Sequence, residues 1–112
     1  MRAVLDYEKC TLNGAPGPAA VGAMPIDVFE WFDAGVVGNP RAYLACSSTK
    51  LIKLGTNYRY NYAKVRVSDD GAVTVDAEYV TPADFTTAMR EVFTCKLSKD
   101  AAALEGATFW QL

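Results

Sequence analysis

The sequence predicts an α+β domain with a mainly antiparallel sheet, and three observations carry that expectation. Two alternating runs, Tyr58 to Val67 and Ala72 to Val80, flank Ser68-Asp69-Asp70-Gly71, the pattern of a β-hairpin over 58–80. Thr81-Pro82-Ala83-Asp84 has the chemistry of a helix start: a threonine cap, a proline at the first position and an acid close behind. Phe85, Ala88, Met89, Val92 and Phe93 then recur at helical spacing. Two to three helices packed on the sheet follow from this reading. A ferredoxin-like order results if Val36 to Thr56 is set aside as an insertion. A small half-barrel wrapped around the Phe85 to Phe93 helix is the alternative.

Element by element, Arg2 to Tyr7 reads as a short strand. Asn13 to Gly22 crowds glycines and prolines and reads as a long loop within one domain spanning 1–112. Pro25 stands where a first helical turn tolerates it. From Ile26 to Asp33, the residues Val28, Phe29, Trp31 and Phe32 fall on one side, with Asp27, Glu30 and Asp33 on the other, predicting a short helix closed by Gly35. Arg41 to Ser47 and Lys50 to Leu54 read as two strands broken at Ser48-Thr49.

The hairpin allows a definite register. With Gly71 left-handed in a three-residue loop, Val67 faces Val73, Val65 faces Val75 and Ala63 faces Ala77 on one side of the sheet. Lys64 then faces Asp76, and Tyr62 faces Glu78, on the other. Beyond the Phe85 to Phe93 helix, Lys96 would point into the apolar stripe, which predicts a helix end nearby. Lys99 to Glu105 reads as a last short helix capped by Ser98. Ala107 to Leu112 reads as a closing strand bringing Phe109 or Trp110 to the core.

Composition narrows function mainly by exclusion. The 112 residues are 51% hydrophobic, 12% aromatic and 21% charged, as in globular domains rather than disordered chains. No apolar run reaches the ~20 residues of a membrane-spanning helix, and no signal-peptide stretch opens the sequence, so a cytoplasmic protein without membrane contact is expected. There are no histidines, which excludes Ser-His-Asp and Cys-His sites and histidine-ligated zinc built from this chain alone. Cys10, Cys46 and Cys95 make an odd set without a CxxC pair. All three read as structural thiols, Cys10 being the most reactive of them. Neither metal nor cofactor is expected, and non-catalytic roles are favoured over enzymatic ones.

The charge map carries the strongest functional signal. Residues 1–33 balance to −3 and residues 69–112 to −5. Residues 34–68 hold Arg41, Lys50, Lys53, Arg59, Lys64 and Arg66 with no acid, a balance of +6. Within that block Tyr58, Tyr60, Tyr62, Lys64 and Arg66 share one face of an extended strand. Aromatic rings beside cations on an open sheet suit a partner protein, a small anionic ligand or single-stranded nucleic acid. The acidic remainder and a pI near 5.0 oppose phosphate binding. The plain structural alternative is that Asp76 and Glu78 neutralise the face across the hairpin. The sequence therefore predicts a binding or assembly protein, homodimeric through this face. The alternative is a cofactor-independent ligand-binding protein or enzyme with a pocket between sheet and helices. A weak single-stranded nucleic acid binder ranks third. Asp27 with Glu30, Gly14-Ala15-Pro16-Gly17 and Ser47-Ser48-Thr49-Lys50 each have a simpler structural reading, respectively a solvent face, a loop and a turn.

Overall fold

A computed structural model of the chain describes residues 2–26, 28–98 and 106–110. Its strands are β1 (Arg2–Asp6), β2 (Thr11–Leu12), β3 (Ala15–Pro16), β4 (Val21–Pro25), β5 (Glu30–Phe32), β6 (Tyr43–Leu54), β7 (Asn57–Ser68), β8 (Ala72–Val80), β9 (Thr87–Leu97) and β10 (Gly106–Trp110). A single 3-10 turn at Tyr7–Lys9 is the one helical element among the described residues. The strands join one curled sheet in the order β4-β1-β10-β9-β8-β7-β6-β5, with the β2–β3 hairpin attached to β9. The architecture is a half-barrel, and the α+β expectation with its ferredoxin-like order is overturned.

Each misplaced helix has a physical reason. Residues 93–97, Phe-Thr-Cys-Lys-Leu, alternate strictly, and β9 puts Phe93, Cys95 and Leu97 on the inner face with Thr94 and Lys96 outward. The lysine that would have disturbed a helical stripe is at ease in a strand. Phe85 lies in the turn before β9 rather than on a helix. In the other segment, Pro25 ends the edge strand β4, where a missing N–H costs no ladder bond. Glu30–Phe32 pairs with Tyr43–Ala45 of β6, and the Phe32 and Tyr43 rings meet at 5.1 Å. The expected break at Ser48-Thr49 is absent, because β6 runs unbroken for 12 residues. The helix predicted over 99–105 lies outside the described residues. Gly106–Trp110 forms the closing strand, antiparallel to β1, with Phe109 packed against the core.

The β7–β8 register is the predicted one: Val67 with Val73, Val65 with Val75, Ala63 with Ala77, Lys64 with Asp76 and Tyr62 with Glu78. Gly71 has φ +87°, and its N–H donates to Ser68 O at 3.0 Å. The core follows from that register. Cys46, Val65, Val75 and Phe93 stand in one row across four strands, flanked by Val73, Cys95, Leu5, Ala3 and Ala107, all buried. Tyr7 adds its ring to Phe93 at 4.5 Å, and burial pushes its hydroxyl pKa up.

The cysteine reading needs correction for two of the three. Cys10 and Cys95 form a disulfide across the β2–β9 ladder, joining residues 85 apart in sequence. Cys10 is buried rather than reactive. Cys46 is the free thiol, buried in the core, with burial raising its pKa. Among the described residues no helix is long and apolar enough to cross a membrane.

Candidate functional site

Inward-pointing valines on β7 leave its alternate residues on the convex, solvent-facing side of the half-barrel. Tyr58, Tyr60, Tyr62, Lys64 and Arg66 therefore do line up along one strand face. They occupy three different environments.

Tyr58 is at the rim, 54% exposed, with the Lys53 ammonium 5.6 Å from its ring centre. Tyr60 and Tyr62 are half-buried. The Tyr60 ring lies parallel to Phe85, 9° between planes and 6.2 Å between centres. With Thr49, Tyr62 and Val80 these two rings line a shallow groove of about 250 Å³. Phe85 is placed there by a tightly tied turn. Its N–H donates to Thr81 O (2.8 Å), the Thr81 N–H donates to Thr86 O (2.8 Å), and Asp84 Oδ1 accepts both the Thr86 N–H (3.1 Å) and hydroxyl (2.8 Å). Those bonds hold the Asp84 carboxyl below its usual pKa. They also hold Phe85 at φ +59°, a conformation unfavourable for a bulky residue, and the ring stays 72% exposed.

The other end of the face is basic. Lys64, Arg66, Thr74, Asp76, Arg90 and Val92 line a second groove of about 250 Å³. Arg66 places its guanidinium 4.3 Å over the Tyr43 ring. Asp76 stands opposite Lys64 in the ladder, yet its carboxylate takes a two-pronged bond from Arg90, Nε to Oδ1 at 3.0 Å and a terminal nitrogen to Oδ2 at 2.7 Å. That pairing lowers the Asp76 pKa, with a smaller contribution from Lys64, and raises that of Arg90. Glu78, opposite Tyr62, accepts the Thr87 hydroxyl at 2.9 Å. The hairpin acids are thus occupied by β9. Among the described residues neither Lys64 nor Arg66 is within ion-pair distance of a carboxylate.

Sequence reasoning missed Phe85 and Arg90 as members of this face, because it set both on a helix. Strand periodicity in β9 was the available signal for Arg90. The left-handed turn at Phe85 has no comparable signature. No group of three or more potential metal ligands comes together among the described residues. Phe109 lies away from the tyrosine face and lines an apolar groove of about 240 Å³ at one end of the inner face, with Ile26, Phe29, Leu44, Val67 and Leu97.

The family model described as VirK protein matches residues 1–85. The chain belongs to the VirK family. The matched part contains the whole tyrosine and lysine-arginine strip of β7 and ends at Phe85, so Arg90 and the second half of the disulfide lie beyond it. The fold is similar to the crystal structure of lpg1832, a VirK family protein from Legionella pneumophila. That match has a TM-score of 0.68 at 14% identity over 86% of this chain and 77% of the other, and shows a shared VirK architecture. No curated protein matches the sequence.

Proposed function

We propose that this VirK family chain is a non-catalytic binding and assembly protein whose contact surface is the outer face of β7 and its neighbours, and that it dimerises through the tyrosine end. The observation that carries this reading is Phe85, held in a left-handed turn so that an exposed aromatic ring extends the Tyr60–Tyr62 surface. Half-buried tyrosines are the usual anchors of protein interfaces, and Lys64 and Arg66 at the far end supply orientation or hold a small anion. The grooves along this face, of about 250 to 300 Å³, reach only the lower end of the ~300–1,000 Å³ of typical ligand pockets and suit contact better than enclosure. Burial raises the pKa values of Cys46 and Tyr7, the opposite of nucleophile activation. Asp76 and Glu78 within the same face weigh against a nucleic acid backbone.

The cytoplasmic compartment expected from sequence sits poorly with a Cys10–Cys95 disulfide, so we place the chain in an oxidising environment. The decisive experiment is analytical ultracentrifugation of wild type beside the double variant Tyr60→Glu/Tyr62→Glu. A wild-type dimer that becomes a folded monomer supports the reading. A wild type that is monomeric at high micromolar concentration overturns it.

A further inference from the structure

Among the described residues the half-barrel is open along one seam, and the seam is built like a vacant strand position. On one lip, β1 is the one described strand that pairs with β4. On the other, β5 covers β6 only at Tyr43, Leu44 and Ala45, and no described strand pairs the outer edge of β6 beyond that point. Gly22, Ala23 and Met24 from one lip and Ser48 and Lys50 from the other line a single cavity of about 120 Å³.

Which backbone groups face the seam follows from the β6–β7 turn. Leu54 pairs with Asn57 around Gly55-Thr56, with Gly55 at φ +63°. The pair flanking a two-residue loop of this kind exchanges both ladder bonds, and bonded pairs then alternate. Leu54, Ile52, Lys50, Ser48 and Cys46 therefore bond to β7. Ser47, Thr49, Leu51 and Lys53 turn their N–H and C=O groups outward, in phase with the β5 pairing at Tyr43 and Ala45.

We propose that this seam accepts an extended acidic segment of a partner polypeptide as an added β-strand alongside Ser47–Lys53. Backbone bonds would supply affinity, as in other strand additions. Charge selects the occupant: the edge carries Lys50 on the inner face and Lys53 on the outer, and residues 34–68 contain no acid. A second copy of β6 would set two edges that carry lysines and no acid against one another, which disfavours self-pairing. Exposed Leu51 on one lip and Val21 on the other offer apolar contact to alternate side chains of the incoming strand. This inference concerns the backbone edge of β6 and does not require dimerisation, although the Thr49 and Lys53 side chains border the tyrosine face.

The test is titration of a fluorescein-labelled, end-capped nonapeptide of alternating valine and glutamate, read by anisotropy, with amide hydrogen exchange on the protein. Saturable binding should protect the Ser47, Thr49, Leu51 and Lys53 amides. Leu51→Pro removes one outward N–H while sparing every β6–β7 bond, and should weaken binding about tenfold or more. Leu51→Ala should bind nearly as wild type. Lys50→Glu/Lys53→Glu should lose the acidic peptide and gain its valine-lysine counterpart, which keeps the test open if the proline variant fails to fold. The proposal is overturned by absence of saturable binding, or by binding that survives Leu51→Pro in a folded protein. Protection of those four amides that rises with protein concentration alone would also overturn it, in favour of a second copy.

Discussion

The β7–β8 hairpin and the β2–β9 pairing are both antiparallel ladders ending in the same core, yet they are specified in different ways. The hairpin is closed by a short turn, and its register is written in local alternation: slipping it by one residue would exchange Val65 and Val75 for Lys64 and Asp76 in the core. The β2–β9 ladder joins Thr11 with Thr94 and Leu12 with Phe93. It spans most of the chain, offers only a few bonds, and is fixed covalently beside them by Cys10–Cys95. Local pairing can rely on pattern and turn chemistry, whereas a short non-local ladder needs another constraint to outweigh its closure entropy.

Removing that constraint should produce the largest effect. In the chain-entropy description, a bridge between residues 85 apart contributes about 4–5 kcal/mol. Cys10→Ala/Cys95→Ala should therefore unfold at much lower denaturant, while the β7–β8 amides retain more residual exchange protection than those of β2. Alkylation followed by mass spectrometry should find one reactive thiol after unfolding, Cys46, and three after reduction. Finding three before reduction would refute the bridge and remove the argument for an oxidising compartment.

The hairpin half of the comparison breaks at Gly71. Its φ of +87° is a conformation L-residues avoid, and Gly71→Ala should cost about 1–2 kcal/mol in urea unfolding. An unchanged midpoint would mean the turn relaxes freely, and that valine burial alone holds the register.

The same contrast explains what was legible beforehand. Gly71, the paired valines and the alternation in 58–80 gave the hairpin residue by residue, and the placement of Tyr58, Tyr60, Tyr62, Lys64 and Arg66 on one face followed directly. Phe85 to Phe93 fits a helical stripe and a strand almost equally well, since both periods bring Phe93 inward. Only pairing with β8 decides between them, and that is tertiary information. Pro82 and Asp84 suited a helix start, but Asp84 caps the turn at Thr86 instead. Cys10 and Cys95 carried no spacing signature, because their proximity is a product of the completed sheet.

The smallest effect sharpens the outer face. Register sets Asp76 opposite Lys64, but geometry gives its carboxylate to Arg90. The Arg90 hydrogen bonds hold the folded Asp76 pKa below its unfolded value; the charges of Arg90 and Lys64 add to them, and partial burial works the other way. A depressed carboxyl pKa stabilises the folded state above the unfolded pKa, and that contribution disappears as pH falls through the folded value. The pair is exposed on the arginine side, so solvent screening keeps its contribution small. Asp76→Asn should lower the melting temperature slightly at neutral pH, and its difference from wild type should vanish well below pH ~4. Arg90→Gln should reproduce that behaviour, whereas Lys64→Gln should change it far less. Equal effects of the two cation substitutions would instead mean that Asp76 is shared across the face, leaving Lys64 less free to meet a partner.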